Sequence, residues 1–533
     1  MSEESVLEST NVAKLETLIE ESTRSTSEGV KRFVEPANGT LGRGTSKQHH
    51  LVFGRRGSGK SSLLRKAAAD LTVDRRPIAF VDLESFKGHA YPDVLLSVLV
   101  ETFGKFAEWL DTAAIAPANK SSFWARLFGT KPTRKPFDKK LADELATDLR
   151  KSVYDLRQLL FSEDETEITA IESSKGQVNE TKTIAANIGD KPFAISGNQS
   201  KSKADESSVS KSETFTRSKL NHLHRHILDY QSLFRRMASL SGGDAFLILD
   251  DLYHLKKQDQ PNVIDYFHRI AKGNQLWLKI GTIRHRSQWY INGDPPIGAK
   301  IGDDISDIDL DLTLERYSTT RDFLSRILDS FLQEAQIRRD DLLTDGALDR
   351  LVLASGGVTR DFLGLIRRSI LIARERGNTF RGEKVGAEDV NNASGDYDSS
   401  KREELSRDTM DESEALEKEF KDIVDFAREY ANANVFLVDR SLPDDQIEMI
   451  EELVDLRLVH RIKGALTVAD RPGKKFEAFM LDLSQYTASR KKRDFEVIEF
   501  WRSDATDKIR RPGLIYKEMS GDQIVTKPLK QRD

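Results

Sequence analysis

Residues 54–61, Gly54-Arg55-Arg56-Gly57-Ser58-Gly59-Lys60-Ser61, decide the fold of this chain. A short apolar run, Leu51-Val52-Phe53, precedes them, and a helix is predicted over Ser61–Leu71. This order of strand, glycine-rich loop and helix is typical of a P-loop, in which backbone N–H groups and the helix N-terminus point at phosphate. The residues predicted to bind a nucleotide are Gly54, Arg55, Arg56, Gly57, Ser58, Gly59, Lys60, Ser61 and Ser62. Among them Lys60 is expected to reach the terminal phosphates, and Ser61 to give its hydroxyl to Mg²⁺.

A second apolar run, Phe246-Leu247-Ile248-Leu249, ends in two adjacent carboxylates. Ligands of open α/β sheets bind at the carboxyl ends of the strands, so acids at this position favour a catalytic interpretation. Asp250 is predicted to hold the Mg²⁺ shell together with Ser61, and Asp251 to polarise the attacking water. Taken alone, the pair also fits a solvated end of a strand. The P-loop upstream favours the catalytic role.

Further apolar runs along the chain predict the α/β fold class. Ile78–Leu83 and Leu276–Thr282 read as strands, and an apolar stripe marks a helix over Leu95–Leu110. Strands that alternate with helices predict a parallel sheet covered by helices. Beyond Arg316 the pattern is helical throughout, which predicts a helical lid subdomain that carries the stripe Phe323, Leu324, Ile327, Leu328, Phe331 and Leu332.

Composition excludes several classes of protein. The 533 residues include 82 Lys+Arg and 87 Asp+Glu, a net charge of −5, and no cysteine. Disulfide scaffolds, thiolate-held zinc and thiol catalysis are therefore excluded. The polar, acidic start MSEESVLEST lacks the pattern of a secretory signal, and no apolar run is long enough for a membrane span. We expect a cytoplasmic protein that does not contact a membrane, and any DNA binding must come from a local basic patch.

The expected organisation has six parts. They are an N-terminal helical lead-in over 1–44, a P-loop core over 45–315 with an insertion at 111–218, a helical lid over 316–392, a linker over 393–416, a winged helix over 417–489 and a basic tail over 490–533. The glycine-rich approach at 38–44 reads as loop, and the linker as an open segment or a solvated helix. Within the insertion, residues 162–218 hold eleven serines and two aromatics, which predicts a flexible segment or a protruding β-hairpin.

These motifs resemble those of the AAA+ and STAND ATPases, most closely the origin-recognition-complex-like AAA+ ATPases of bacteria. The resemblance covers Arg32–Leu110 and Lys219–Arg493. It implies ATP and Mg²⁺ as cofactors, a homo-oligomer, and a catalytic set of Lys60, Asp251, Thr282 and Arg360. The family usually has Glu where Asp251 stands, and the shorter side chain implies slow hydrolysis.

Thr282 and Arg360 come from two further motifs of the resemblance. Thr282 ends the strand Lys279-Ile280-Gly281-Thr282, which is similar to the strand of the first sensor. Arg360 follows Gly356-Gly357 and begins the lid helix, where the family places an arginine that senses the γ-phosphate. A positive charge at a helix start is disfavoured by the helix dipole, which supports a functional role for Arg360. Arg284 and Arg286 have two interpretations. They could contact the nucleotide bound to a neighbouring subunit, or they could form a basic cluster on the surface.

The predicted winged helix argues against simple groove insertion. Its recognition helix, Pro443–Leu456, carries six acidic residues and no basic one, so DNA phosphates would repel it. Basic residues gather instead in the wing, at Arg471, Lys474 and Lys475, and in the segment Arg490–Arg493. DNA contact through the wing and the basic tail stays open, with Trp501 and Tyr516 as candidates for base stacking.

Three hypotheses for function follow. The first is a Mg-ATP-dependent AAA+ ATPase whose nucleotide state controls conformation, assembly, or binding of DNA or a partner. The second is a STAND-like signalling switch that works with a separate effector protein. The third is a nucleotide-dependent scaffold without hydrolysis. All three use the same P-loop site.

Overall fold

The computed structural model describes residues 6–22, 32–73, 76–115, 138–161, 199–240, 243–377, 383–408, 413–487, 494–502, 504–521 and 523–526. The helices of the first half are α1 (Thr10–Ser22), α2 (Thr40–Thr45), α3 (Lys60–Val73), α4 (Asp93–Ile115), α5 (139–161), α6 (Gln199–Leu240) and α7 (Gln260–Ala271). Those of the second half are α8 (Tyr317–Ala335), α9 (Arg339–Leu342), α10 (Asp345–Ser355), α11 (Thr359–Arg376), α12 (Ala387–Asp408), α13 (Ser413–Asp425), α14 (Asp444–Asp455) and α15 (Ala505–Ile509).

Within the described residues, the strands form two five-stranded sheets and one short pair. They are β1 (His50–Phe53), β2 (Ile78–Asp82), β3 (Ala245–Asp250), β4 (Leu276–Thr282), β5 (Tyr290–Ile291), β6 (Ile297–Gly298), β7 (Ser306–Asp309), β8 (Val435–Asp439), β9 (Val459–Leu466), β10 (Phe476–Leu481), β11 (Ile515–Ser520) and β12 (Gln523–Thr526). No helix among the described residues is long and apolar enough to cross a membrane.

The first sheet is parallel throughout, with strand order β2-β3-β4-β1-β7. Strands β1, β3 and β4 are buried along nearly their whole length because helices cover both faces, whereas the edge strand β7 is only partly buried. Asp82 is level with Asp250, and Phe53 with Thr282, so the carboxyl ends of the strands meet at one edge. The predicted fold class, an α/β parallel-sheet P-loop core, is confirmed.

A helical subdomain follows the sheet, as predicted for the lid. Helices α8, α10, α11 and α12 share one apolar core with α1 from the N-terminus. Leu324, Leu328 and Phe331 on α8 are buried in this core, because they recur at the spacing that places side chains on one helix face. The lid subdomain therefore rests on the N-terminal helix as well as on its own helices.

The C-terminal region has the winged-helix-like order of helix α13, strand β8, helix α14 and hairpin β9–β10. Its sheet has the order β12-β11-β8-β10-β9, in which β11 lies parallel to β8. Strands β11 and β12 belong to the segment predicted as a basic tail. That prediction is wrong for residues 515–526 as far as the structure describes them, while residues 490–493 lie outside the described residues.

Of the two aromatic residues expected to be available for base stacking, Tyr516 is buried inside the protein, whereas Trp501 packs on the lid and stays partly exposed. Tyr516 is buried between Phe426 and Phe436, and its neighbour Lys517 forms a buried ion pair with Glu419 at 2.7 Å. Apolar burial outweighs the basic composition of this segment. Trp501 stacks on Tyr317 of the lid.

The insertion is more ordered than its composition indicated. Helix α5 buries Leu145, Leu149 and Leu156 against α4 and α6, in the same core as the sheet. The backbone of residues 199–218 is helical, so the expectation of a flexible or hairpin segment is wrong for this part. It continues the amphipathic helix that begins to pack at Lys219. The predicted β-hairpin at 167–188 lies outside the described residues.

Two other local expectations differ from the structure. The glycine-rich approach at 38–44, predicted as loop, includes the short helix α2, which packs on α3 through Gly44. The segment predicted as a linker or a solvated helix is helical over residues 393–408, as part of α12, but its start is not solvated: Ala393 is fully buried, and Tyr397 lies against Gly364 of α11. Small residues at these contacts let the helices approach closely, a feature that hydropathy alone does not reveal.

Gly357 provides a test of the junction between core and lid. Its φ is +86°, and a Cβ there would collide with the carbonyl oxygen of Leu312. Gly39 has nearly the same φ, +85°, with no atom within 4 Å of its Cβ position. Alanine should cost about 1–2 kcal/mol at each site for the left-handed backbone, and about 1–3 kcal/mol more at Gly357 for overpacking.

We therefore expect Gly357→Ala to lower the thermal unfolding midpoint clearly more than Gly39→Ala does. Differential scanning calorimetry of the two variants and the parent measures this difference. Equal losses in both variants would contradict the close packing at Gly357.

Candidate functional site

The P-loop closes around its own lysine. Strand β1 ends at Phe53, and residues 54–59 curl so that Gly57 and Gly59 have φ of +84° and +100°. The ammonium of Lys60 is buried and donates hydrogen bonds to the carbonyl oxygens of Gly54 at 2.7 Å and Arg55 at 3.2 Å. Burial lowers the pKa of Lys60, while the nearby carboxylates of Asp251 and Asp250 oppose that shift. The loop thus concentrates positive charge at the start of α3.

Asp250 and Asp251 lie beside this lysine, at the carboxyl end of β3. Asp250 is buried, and the Ser61 hydroxyl is hydrogen-bonded to its carboxylate. Burial, together with the charge of Asp251, raises the pKa of Asp250 to about 7. Asp251 has a left-handed backbone with φ of +57°, and its N–H donates to Oδ1 of Asp250 at 3.0 Å. Burial also raises the pKa of Asp251.

The first turn of the lid helix completes a cavity of about 200 Å³ over the loop. Its walls include Lys60, Ser61 and Asp251 from the core and Arg360 from α11. Arg56, Gly57, Gly59 and Ser62, all predicted from the sequence, line it as well. The backbone N–H of Arg360 donates to the carbonyl oxygen of Gly57 at 3.3 Å. The structure therefore brings the loop, the acidic strand end and the lid arginine to one cavity.

Two predicted residues are engaged away from this cavity. The guanidinium of Arg55 is buried and contacts Asp311 at 3.3 Å and the carbonyl oxygen of Gly356 at 2.9 Å. The side chain of Thr282 is buried and hydrogen-bonded to the hydroxyl of Ser287, and Thr282 does not line the cavity. Arg55 joins the loop to the lid, and Thr282 anchors the loop that follows β4.

Several cavity residues were missed by sequence reasoning. Tyr253, His254 and Glu84 line the cavity, and the Lys60 ammonium lies 5.8 Å from the centroid of the Tyr253 ring. Tyr253 and His254 follow the end of β3, and Glu84 follows the end of β2. Their positions just beyond two parallel strands were the signal from which the sequence could have predicted them. Ser58, predicted to bind the nucleotide, has a buried hydroxyl that lacks a hydrogen-bond partner among the described residues.

A second, mostly apolar cavity of about 110 Å³ adjoins the first. The two cavities share five lining residues, which are Ser22, Gly59, Ser62, Thr359 and Leu363. The second cavity continues between Phe33, Val34 and Leu310 on one side and Phe323, Ile327 and Phe331 on the other. The α8 residues were recognised from the sequence as a core stripe. Their role in a cavity depends on how α8 meets the segment before the P-loop, which no local pattern encodes.

The donor set at Asp250 and Ser61 suits Mg²⁺, because carboxylate and hydroxyl oxygens are the ligands that this ion prefers. No cluster of three or more His, Cys, Asp or Glu side chains suited to a metal occurs within the part of the chain that the structure describes. The lysine and the curled loop before α3 fit the phosphates of a nucleotide, because an ammonium and a helix N-terminus both favour a nearby negative charge. The residues present therefore fit a magnesium nucleotide.

Comparison with known proteins adds a similarity to solved structures. No protein-family model and no curated protein matches the sequence. Among solved structures, the chain is similar to the ORC1 protein of Aeropyrum pernix, whose structure was determined in complex with DNA. The two share 15% identity over 89% of each chain, with a TM-score of 0.30. The assignment of the fold given above depends on the strand order and the P-loop of the chain itself.

The raised pKa of Asp250 makes stability depend on pH. Its carboxyl titrates near 3.8 when unfolded and near 7 when folded, so the folded state binds more protons between these values. The protonated carboxyl of Asp250 therefore stabilises the folded state below about pH 4, and this contribution to the free energy of unfolding is lost as the pH rises through about 7. In the absence of nucleotide and Mg²⁺, we expect the melting temperature to fall from pH 5 to pH 8 by more in the parent than in Asp250→Asn.

Differential scanning fluorimetry across this range provides the measurement. Asp445→Asn is the control, because it removes an exposed carboxylate from α14. The same pH slope in the parent and in Asp250→Asn would exclude Asp250 as the source.

Proposed function

We propose that this protein is a Mg-ATP-binding AAA+-type ATPase with slow hydrolysis, whose nucleotide state controls its conformation and its assembly or partner binding. The observation that carries this proposal is the single cavity lined by Lys60 and Ser61 of the loop, Asp251 of the acidic strand end and Arg360 of the lid. Each of these residue types suits one part of a magnesium triphosphate. The protein is proposed to act in the cytoplasm.

The roles of the core residues follow from their positions. The backbone N–H groups of Gly57 and Gly59 and the N-terminus of α3 would hold the phosphates, with Lys60 turning from the Gly54 carbonyl oxygen toward them. Asp250 and Ser61 would hold Mg²⁺, which neutralises phosphate charge when it is bound. The adjoining apolar cavity is suited to the base, since its walls are aliphatic and aromatic.

Asp251 is proposed to orient the attacking water. It lines the cavity, and its raised pKa lies closer to neutral pH than that of an exposed carboxylate, which suits a group that accepts a proton. Aspartate is one methylene shorter than glutamate, so its carboxylate has less reach toward the water. Slow turnover, suited to a switch, is the proposed consequence.

Contacts of the lid connect the cavity to the C-terminal region. Asp361, next to Arg360, forms a buried ion pair with Arg457 at 3.0 Å. Removing one partner of a buried pair is strongly destabilising, because the other charge is left without compensation. The pair therefore favours movement of the C-terminal region together with α11. A shift of Arg360 toward a γ-phosphate would thus reach the C-terminal sheet.

The acidic face of α14 is occupied by the core. Glu452 contacts Arg286 at 3.2 Å, Asp455 contacts His285 at 3.0 Å, and Glu448 contacts Lys257 at 2.8 Å. Arg286, considered above for a neighbour's nucleotide, is thus engaged within the chain. This docking favours a switch that works through assembly or a partner effector protein over insertion of α14 into DNA.

The cations of the wing are also largely compensated. Arg471 contacts Glu518 at 2.8 Å, and Lys474 contacts the same carboxylate at 3.5 Å and Asp439 at 3.6 Å. Lys475 stays exposed. These pairings weaken the case for DNA contact through the wing, and the STAND-like alternative gains support.

The first test concerns Lys60 and Asp251. Hydrogen bonds to charged groups contribute about 1.5–3 kcal/mol, so Lys60→Ala should weaken Mg²⁺-dependent binding of a non-hydrolysable ATP analogue by about 10- to 100-fold. Asp251→Asn should keep that binding and lose hydrolysis by at least about 100-fold. Isothermal titration calorimetry and phosphate release measure the two effects.

Lys66→Ala is the matched control for Lys60, since Lys66 lies on the same helix and pairs with Asp70 at 2.7 Å. Unchanged Mg²⁺-dependent binding in Lys60→Ala would overturn the P-loop assignment. If Asp251→Asn and the parent release phosphate at the same rate, a group other than Asp251 orients the attacking water.

The second test concerns transmission through the lid. We expect the sedimentation coefficient of the parent to differ between ATP analogue and ADP, and this difference to disappear in Arg360→Ala. Arg368→Ala is the control, because Arg368 lies on α11 but pairs with Asp396 at 2.6 Å. A nucleotide response in Arg360→Ala equal to that of the parent would remove Arg360 from the mechanism.

A further inference from the structure

A large cavity of about 550 Å³ lies between the lid and the C-terminal region. One wall is the start of α8 with the residues just before it, and the other is formed by β9, residues 500–501 and α15. Its volume lies within the range of about 300–1,000 Å³ that is usual for small-molecule sites. It has no lining residue in common with the cavity over the P-loop.

Three aromatic rings form a platform in this cavity. Trp501 stacks on Tyr317 with ring centroids 4.8 Å apart and planes 19° from parallel. Phe500 meets both rings edge-on, at 5.1 Å from Trp501 and 6.1 Å from Tyr317. The rings come from the lid and the C-terminal region and hold each other in place. A rigid aromatic surface of this kind suits a flat heteroaromatic ring.

The rim of the cavity is positively charged. Arg316, Lys463 and Arg510 line it and are exposed, and none of them lies within ion-pair distance of a carboxylate in the described part of the chain. Arg321, a fourth cation of the lining, is paired with Asp349 at 2.6 Å. The uncompensated cations gather around one opening, where they attract an anion.

The lining of the cavity also contains two carboxylates, which do not balance its positive charge. Glu315 accepts a hydrogen bond from the N–H of Gly464 at 3.0 Å, and so it helps to join the lid to the β9–β10 hairpin. Asp322 is exposed at the rim. With Arg321 compensated by Asp349, the three remaining cations against these two acids leave a net positive lining. An aromatic surface beside such a rim is complementary to a planar ring that carries phosphate.

We propose that this cavity is a second ligand site, separate from the P-loop, that binds a small phosphorylated nucleoside. Trp501 supplies the surface for the base, and Lys463 and Arg510 supply charge for the phosphate. The site goes beyond the proposed ATPase function because it uses no P-loop residue and no Mg²⁺ ligand. Since its walls belong to the lid and the C-terminal region, a bound ligand bridges the parts that the nucleotide switch is proposed to move.

The test uses the full-length Lys60→Ala variant in the presence of EDTA, so that Mg²⁺-dependent binding at the P-loop is removed. Equilibrium dialysis with radiolabelled AMP should show saturable binding that is tighter than the binding of adenosine or of inorganic phosphate. Adding Lys463→Ala and Arg510→Ala should weaken it at least tenfold. Adding Lys508→Ala, which removes an α15 cation paired with Asp504 at 3.1 Å, should leave it unchanged.

Trp501 is tested with two substitutions. Trp501→Phe should retain most of the AMP binding, and Trp501→Leu should lose it. The thermal unfolding midpoint of each variant shows whether the contact between residue 501 and the lid is kept. Absence of saturable AMP binding, or binding unaffected by the loss of Lys463 and Arg510, would overturn the proposal. Binding of the dinucleotide pApA without binding of AMP would also overturn it, and would assign the cavity to a nucleic-acid strand instead.

These results are independent of the ATPase proposal. The P-loop is judged by Mg²⁺-dependent binding that Lys60 supports, whereas the second site is judged by metal-free binding in a chain that lacks Lys60. Failure of either one leaves the other standing.

Discussion

The buried guanidinium of Arg55 is the interaction on which the arrangement of the molecule depends. It lies within the P-loop and contacts both Asp311, which follows strand β7, and the carbonyl oxygen of Gly356, which precedes the lid helix. A buried arginine is stable only when its charge and its donors are satisfied, so the loop, the sheet edge and the lid must keep this geometry together. The nearby hydrogen bond from Arg360 to Gly57 adds a second connection between loop and lid. The conformation of the P-loop and the position of the lid are therefore coupled.

The C-terminal region extends this coupling through charge pairs of different character. The Arg457–Asp361 pair is buried, so breaking it would leave a charge without compensation in a low-dielectric environment. The pair of Lys257 and Glu448, in the N-terminal half of α14, is exposed and contributes little to stability. In the proposed switch, movement of the C-terminal region with α11 keeps the buried pair and separates the contacts of α14 with Lys257, His285 and Arg286. Such an arrangement suits a hinge in which α11 and the C-terminal sheet move together.

Charge also explains why the acidic helix α14 fits its position. Its carboxylates face His285, Arg286 and Lys257, which lie on loops at the carboxyl edge of the first sheet. In DNA recognition the same helix would meet phosphates of like charge. Electrostatic complementarity within the chain thus accounts for a surface that had no clear role in the sequence. The wing follows the same principle, since Glu518 of β11 compensates Arg471.

Local sequence determined the parts of this protein that obey local rules. Glycines at 54, 57 and 59, an apolar run before them and a helix after them are sufficient to predict the P-loop, because backbone curvature and the helix N-terminus depend on neighbouring residues. The pair Asp250-Asp251 was found for the same reason, since a buried strand and its end are visible in the order of residues. Only the tertiary structure decided where Arg55 points, how Tyr516 becomes buried in the second sheet, and that α5 packs against α4 and α6. These outcomes depend on residues that are far apart in the chain, and composition suggested solvent exposure for Tyr516 and for much of the insertion. The free energy of burying apolar surface against a distant partner is absent from any local pattern, and it outweighed the local signal at these positions.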